Sequence, residues 1–180
     1  MKLLKLIVRI VDTIVDYVGR VSSLGALMIM VVIIWEVVSR RFFNSPTIWA
    51  YELIIMTSAI YVIMITSYGL QKGSFVCVDV LSSKLPPRIA RLVLLLTYFL
   101  FFLPFVGGIL PSAFNFARTS ILIGERSWSF WGQPVWPVKL ALFVGLSFLL
   151  IKGISEMLKL VIWLVENWKT AALPKKEQEG

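Results

Sequence analysis

Residues 21–38 read VSSLGALMIMVVIIWEVV, eighteen residues with a single charge, Glu36. A helix of about 20 such residues crosses the ~30 Å hydrocarbon core of a bilayer. A soluble helix of this length would show a polar face, and this one has none to show. The run ends on Ser39, Arg40 and Arg41, and Asn44, Ser45 and Pro46 make the turn that follows.

Working outward, three more runs repeat the pattern. The second is expected at 48–70, closed by Gln71, Lys72 and Gly73. The third is expected at 88–117, opened by Pro86 and Pro87 and bent by Pro104 and Pro111. The fourth is expected at 136–163. The chain has 180 residues, 58% hydrophobic and 16% charged, where a soluble domain carries roughly 25% charge. The fold class expected is therefore an all-α integral membrane protein with four transmembrane helices.

Upstream of the first run, residues 1–19 differ in kind. Leu3, Leu6, Ile7, Ile10, Ile14 and Val18 recur at spacings of three and four, and Lys5, Arg9, Asp12 and Asp16 form a second stripe at similar spacings. That pattern predicts a separate N-terminal amphipathic helix lying on the membrane surface. Lys139 and Lys152 flank the short apolar interior of the fourth run and are expected to snorkel to opposite surfaces. The alternating Val76, Val78 and Val80 allow a short extended or interfacial piece in the middle loop, and residues 170–180 read as a flexible polar tail.

The net charge is +8, and its placement decides how to read it. The Lys and Arg fall between apolar runs and not along one face, which argues for positive-inside bias and against nucleic-acid binding. With both termini cytoplasmic, only Arg40, Arg41, Arg118, Arg126 and Lys139 of the eighteen lie outside. The chain is thus expected to be a multi-pass membrane protein with N- and C-termini in the cytoplasm.

Chemistry-bearing residues are few. The sequence has no His and one Cys, Cys77, so neither a nucleophile–base pair nor a haem ligand of the usual kind can be assembled. Metal-ligand spacings and a phosphate-cradling glycine loop are absent from the sequence, so no enzyme activity and no cofactor in this chain are expected. Two carboxylates come near the bilayer. Glu36 lies one helical turn before Arg40 and can pair with it. Glu52 opens the second run within reach of Arg40 or Arg41. Either could be a proton or cation site; an ion pair locking the hairpin is the simpler reading.

The order of short motifs resembles one known family. Arg41-Phe42 and Asn44-Ser45-Pro46 lead to Trp49-Ala50-Tyr51-Glu52. Lys72-Gly73-Ser74, Val78-Asp79-Val80-Leu81 and Leu85-Pro86-Pro87-Arg88 follow. Gly124-Glu125-Arg126-Ser127 and Pro134 to Lys139 complete the set. Together they resemble the small (DctQ-like) membrane subunit of tripartite ATP-independent periplasmic (TRAP) transporters, over about residues 21–160. One departure is visible: many members have His in the middle loop, where this chain has Phe75 or Val76.

The resemblance implies sodium-coupled uptake of organic acids by a complex in which a large permease subunit carries the substrate and Na+ sites. A periplasmic substrate-binding protein delivers the substrate. This chain would be a scaffold packed against the large subunit, with membrane lipid around it. Arg40, Arg41, Trp49 and Glu52 would support the outer hairpin and the subunit contact, and Asp79 and Arg88 would order the middle loop. Arg118, Arg126 and Trp128 would touch the binding protein. Two other readings of the residues stay open: a self-sufficient small dimeric proton-coupled transporter, and the membrane anchor of another complex.

Overall fold

The computed structural model describes residues 2–73 and 86–170. Residue 1, the middle loop at 74–85 with Asp79 and its expected extended piece, and the tail at 171–180 lie outside the described residues. The elements are α1 (Lys2–Phe42), α2 (Ala50–Lys72), α3 (Pro87–Thr97), a π-helical turn (Tyr98–Phe102), α4 (Leu103–Ile123) and α5 (Trp136–Thr170). Four rods are long and apolar enough to cross a membrane: Leu4–Phe42, Ala50–Lys72, Arg88–Ile123 and Trp136–Asn167. The α3, π and α4 segments form one of these rods. Among the described residues no β-strand occurs beyond an isolated bridge between Arg126 and Pro134.

Helix is the conformation that lets a chain cross hydrocarbon with every backbone group bonded within its own segment. The breaks fall where the sequence supplies an alternative. Gly73 ends α2 in the left-handed region at φ 67°, its N–H turned back to the carbonyls of Gly69 and Leu70. Pro87 sits in the first turn of α3, where its missing N–H costs nothing. Pro104 has no N–H to continue the ladder, and just before it the ladder widens: Leu103 N–H reaches the Tyr98 carbonyl, five residues back.

The expected separation of an amphipathic helix at 1–19 from a span at 21–38 is not what the structure shows. Residues 2–42 are one uninterrupted helix. Gly19 is no hinge: it lies inside α1, and a Cβ there would overlap the Tyr68 ring of α2. The glycine serves close approach between α1 and α2.

Helix α5 is the hub, packing against α1, α2, α3 and α4, and α2 fills the space between α1 and α5. Helices α2 and α5 meet tightly at Gly145, where a Cβ would stand 2.8 Å from Ile63 Cγ1 and 3.0 Å from the Ile63 carbonyl oxygen. Gly153 lets the Phe102 ring of the π turn lie against α5, and Gly25 faces Tyr61. By contrast Gly107 and Gly108 on α4 meet nothing within 4 Å. Gly145→Ala should destabilise the purified chain by about 1–3 kcal/mol, because overpacked side chains must shift. Gly107→Ala should leave it unchanged or slightly more stable. Thermal unfolding of the two variants in one detergent checks this contrast, and equal melting temperatures would contradict it.

Candidate functional site

Polar side chains gather at the two ends of the bundle. One end holds the start of α1, the end of α2, the start of α3 and the end of α5; it is called here the terminal end. The opposite end carries the 43–49 turn and the 124–135 loop, and is called the loop end.

At the terminal end Lys152 is wholly buried, with 0% side-chain exposure. An unpaired ammonium in such a place would cost several kcal/mol. Its partners are the Asp12 carboxylate on α1 and Glu156 Oε1 at 2.6 Å, one turn along α5. Lys159 bridges the same two acids, at 2.8 Å to Asp12 Oδ2 and 2.8 Å to Glu156 Oε1. Asp16 extends the cluster to Arg20 at 2.7 Å and to Lys72 of α2 at 3.4 Å. The Gln71 amide donates to the Asp12 carbonyl at 3.2 Å, and Lys5 pairs with Glu166 at 2.6 Å.

Two sequence-based expectations change here. Lys152 does not snorkel, because two carboxylates meet it inside. Of the polar stripe, Lys5, Asp12 and Asp16 pair with residues of α5 and α2 while Arg9 is exposed, and Leu6, Ile7, Ile10 and Ile14 face outward. Both stripes were legible; which of them met protein was not.

Arg88, at the start of α3, donates to the Asn167 carbonyl of α5 at 3.3 Å. Arg91 lies over the Trp163 ring, 3.3 Å from its centroid. Together they tie α3 to the end of α5.

At the loop end Glu36 is the organising group. Its carboxylate receives Arg40 Nε at 2.5 Å, the Thr47 N–H at 3.3 Å and the Thr47 hydroxyl. The expected Glu36–Arg40 pair is present, and Thr47 adds the closure of the α1–α2 turn. Arg41 is exposed on the last turn of α1, and Trp49 stands at the start of α2, its carbonyl accepting from Leu53 N–H at 3.0 Å.

Glu52 does not join this group. Among the described residues it forms no ion pair with Arg40 or Arg41, and its Oε2 is buried without a hydrogen-bond partner. Leaving such an oxygen unpaired costs about 1–3 kcal/mol. It lines a cavity of about 400 Å³ between α2 and the 124–135 loop.

That loop is a small lobe. Ser127 N–H bonds the Gln133 carbonyl at 2.8 Å, Val135 N–H bonds the Glu125 carbonyl at 3.0 Å, and Gly132 turns at φ 61°. Trp128 and Phe130 stand fully exposed at its tip. Arg126 is exposed on the lobe and reaches the Gly132 carbonyl at 3.5 Å. Arg118 lies on α4, beside an apolar groove that includes Phe114 and Phe143, so the structure groups Arg126 with Trp128 but keeps Arg118 on the helix below. Lys139, expected to snorkel, is half-buried over the Phe116 ring and paired with Glu125. Its ammonium holds the Glu125 carboxyl below the usual carboxylate value of 4.5.

Among the described residues no three His, Cys, Asp or Glu side chains gather as a metal site. A family model described as "Tripartite ATP-independent periplasmic transporters, DctQ component" matches residues 29–162. No curated protein matches the chain.

Two outcomes follow from the geometry. Asp12→Ala leaves Lys152 buried with one carboxylate fewer and should destabilise the chain by on the order of 3 kcal/mol. Asp12→Ala combined with Lys152→Met should recover most of that, as read by thermal unfolding; a double variant whose loss equals the sum of the two single losses would show that the two residues are uncoupled. The lowered Glu125 value means its pair with Lys139 contributes at pH above about 4.5 and is lost as pH falls through the lowered value. Protection of the Ser127 and Val135 amides, corrected for intrinsic exchange, should be flat from pH 7 to about 5 and fall below that range. Glu125→Gln should abolish the transition.

Proposed function

Because this chain belongs to the DctQ family of the tripartite ATP-independent periplasmic transporters, we propose that it is the small permease subunit of such a transporter, a scaffold for the large permease subunit and not the carrier of substrate. The observation that carries the scaffold reading is where the charges are spent. Lys152, Lys159, Asp12 and Glu156 close on one another at the terminal end, and Glu36 closes on Arg40 and Thr47 at the loop end. The middle of the bundle, by contrast, is held by packing at Gly25 and Gly145. A carrier needs polar groups near the midplane that it can offer to its cargo. In this reading the substrate, an organic acid, and the coupling Na+ are bound by the large subunit.

The α3–α4 rod supplies a contact face of the right kind. Phe101 and Phe105 are about two-thirds exposed, and Gly107 and Gly108 leave backbone open to a close neighbour. Arg41 and Trp49 add polar and aromatic contact at the loop end. The lobe with Arg126 and Trp128, together with Arg118, contacts the periplasmic substrate-binding protein. Lys and Arg abundance at the terminal end supports a reading in which both termini lie in the cytoplasm of a bacterial cell. The first half of α1 then runs along or just beyond the inner membrane surface, its apolar side towards lipid. In this reading Arg88, bonded to the end of α5, and Asp79 order the cytoplasmic loop between α2 and α3.

Reconstitution of the chain alone should give no substrate flux, and flux should appear when the large subunit and binding protein are added. Phe101→Ala combined with Phe105→Ala should weaken co-purification of the large subunit while leaving the isolated chain's stability within about 0.5 kcal/mol. Substrate-dependent flux by this chain alone would overturn the reading.

A further inference from the structure

The cavity beside Glu52 is not accounted for by the scaffold role. Its floor is α2, with Glu52 and Met56, and its opposite wall is the lobe, with Ser127, Ser129 and Gln133. No Lys or Arg lines it; the nearby Arg126 lines a neighbouring cavity instead. The wall therefore offers hydroxyl and amide groups facing the Glu52 carboxylate, whose Oε2 is buried and meets no donor, so that the charge on this side of the cavity is not balanced by a cation among its lining residues. We infer that this cavity binds the primary ammonium of a phosphatidylethanolamine headgroup, with Glu52 as its acceptor.

Depth and shape single out a lipid. Glu52 and Lys72 lie twenty residues apart on α2, about 30 Å along the helix, which is the thickness of a hydrocarbon core. Lys72 belongs to the charged cluster at one end, so Glu52 stands at the opposite membrane boundary, where headgroups lie. From its mouth Tyr51, Ile55, Ala59 and Val62 run down α2 as an exposed stripe at spacings of three and four. Three of them, Tyr51, Ile55 and Ala59, also line the cavity. An acyl chain on this stripe would lead without a gap to a headgroup at Glu52. A soluble amine would leave the stripe unused. A choline headgroup carries the same charge but no N–H, so it cannot donate a hydrogen bond to the Glu52 carboxylate. A glycerol headgroup brings no positive charge.

The test is native mass spectrometry of the purified full chain in mild detergent, with phosphatidylethanolamine, phosphatidylcholine and phosphatidylglycerol of identical acyl chains at equal concentration. The expected result is one retained phosphatidylethanolamine, preferred over phosphatidylcholine by about tenfold, the scale of one charge-assisted hydrogen bond. Glu52→Gln should erase that preference. Ala59→Trp, which obstructs the stripe, should lower retention of all three lipids. Soluble phosphoethanolamine should not compete. Equal retention of the ethanolamine and choline lipids by the unaltered chain would overturn the inference, as would a Glu52→Gln variant that keeps the preference. Full competition by phosphoethanolamine would overturn the lipid assignment. No partner subunit enters the measurement, so its failure and the failure of the scaffold reading are told apart.

Discussion

The burial of Lys152 constrains more of this structure than any other single group. A cation with no exposure must be met by anions inside, and one of them, Asp12, comes from a different helix 140 residues earlier in the chain. Meeting it turns the polar stripe of α1 inward, and a helix whose polar side faces protein has to show its apolar side to lipid. The same rotation puts Asp16 against Lys72, which brings the end of α2 into the group. Three helices are thereby held in register by charge. Their side chains can then fit closely further along, at Gly19 on Tyr68 and at Gly145 on Ile63.

The rods differ in length, and the difference has a physical reading. Helix α2, at 23 residues, is about 35 Å long and matches a bilayer closely. Helix α1, at 41 residues, is about 60 Å long and has to extend past the membrane. The charged cluster sits where α2 stops, so the excess of α1 and α5 lies beyond it at the terminal end. Ion pairs at that depth are near hydrated headgroups, where the cost of keeping charge is far lower than at the midplane. The Glu36 and Glu125 groups mark the other boundary in the same way.

Much of this was legible from sequence because it depends on local pattern. Apolar runs, the Gly73 stop, the Pro87 start and the Glu36–Arg40 pair each follow from residues within a turn or two of one another. The losses share one cause. Periodicity showed that Lys5, Arg9, Asp12 and Asp16 share a face, but a polar face can meet water or a buried partner, and spacing does not separate the two. The partner, Lys152, lies more than a hundred residues away and read as a snorkelling side chain. Glu52 failed in the opposite direction. It was within sequence reach of two arginines, yet Thr47 and Arg40 had already closed on Glu36. Glu125 with Lys139 went unread because the two lie fourteen positions apart, across a loop whose path spacing does not reveal.

Glycine carries the same ambiguity, and contact resolves it. Gly145 and Gly153 are spaced as a small-residue stripe on α5, and Gly107 and Gly108 form a similar small patch on α4. The first two are filled by Ile63 and Phe102 of this chain, and the last two face open space. A close-approach surface inside a bilayer gains nothing from lipid tails, which pack no better on backbone than on a methyl group, whereas a neighbouring helix gains van der Waals contact from it. The filled glycines therefore explain how the bundle holds itself together. The unfilled pair, on the rod joined to the rest mainly through α5, marks where it has contact left to give.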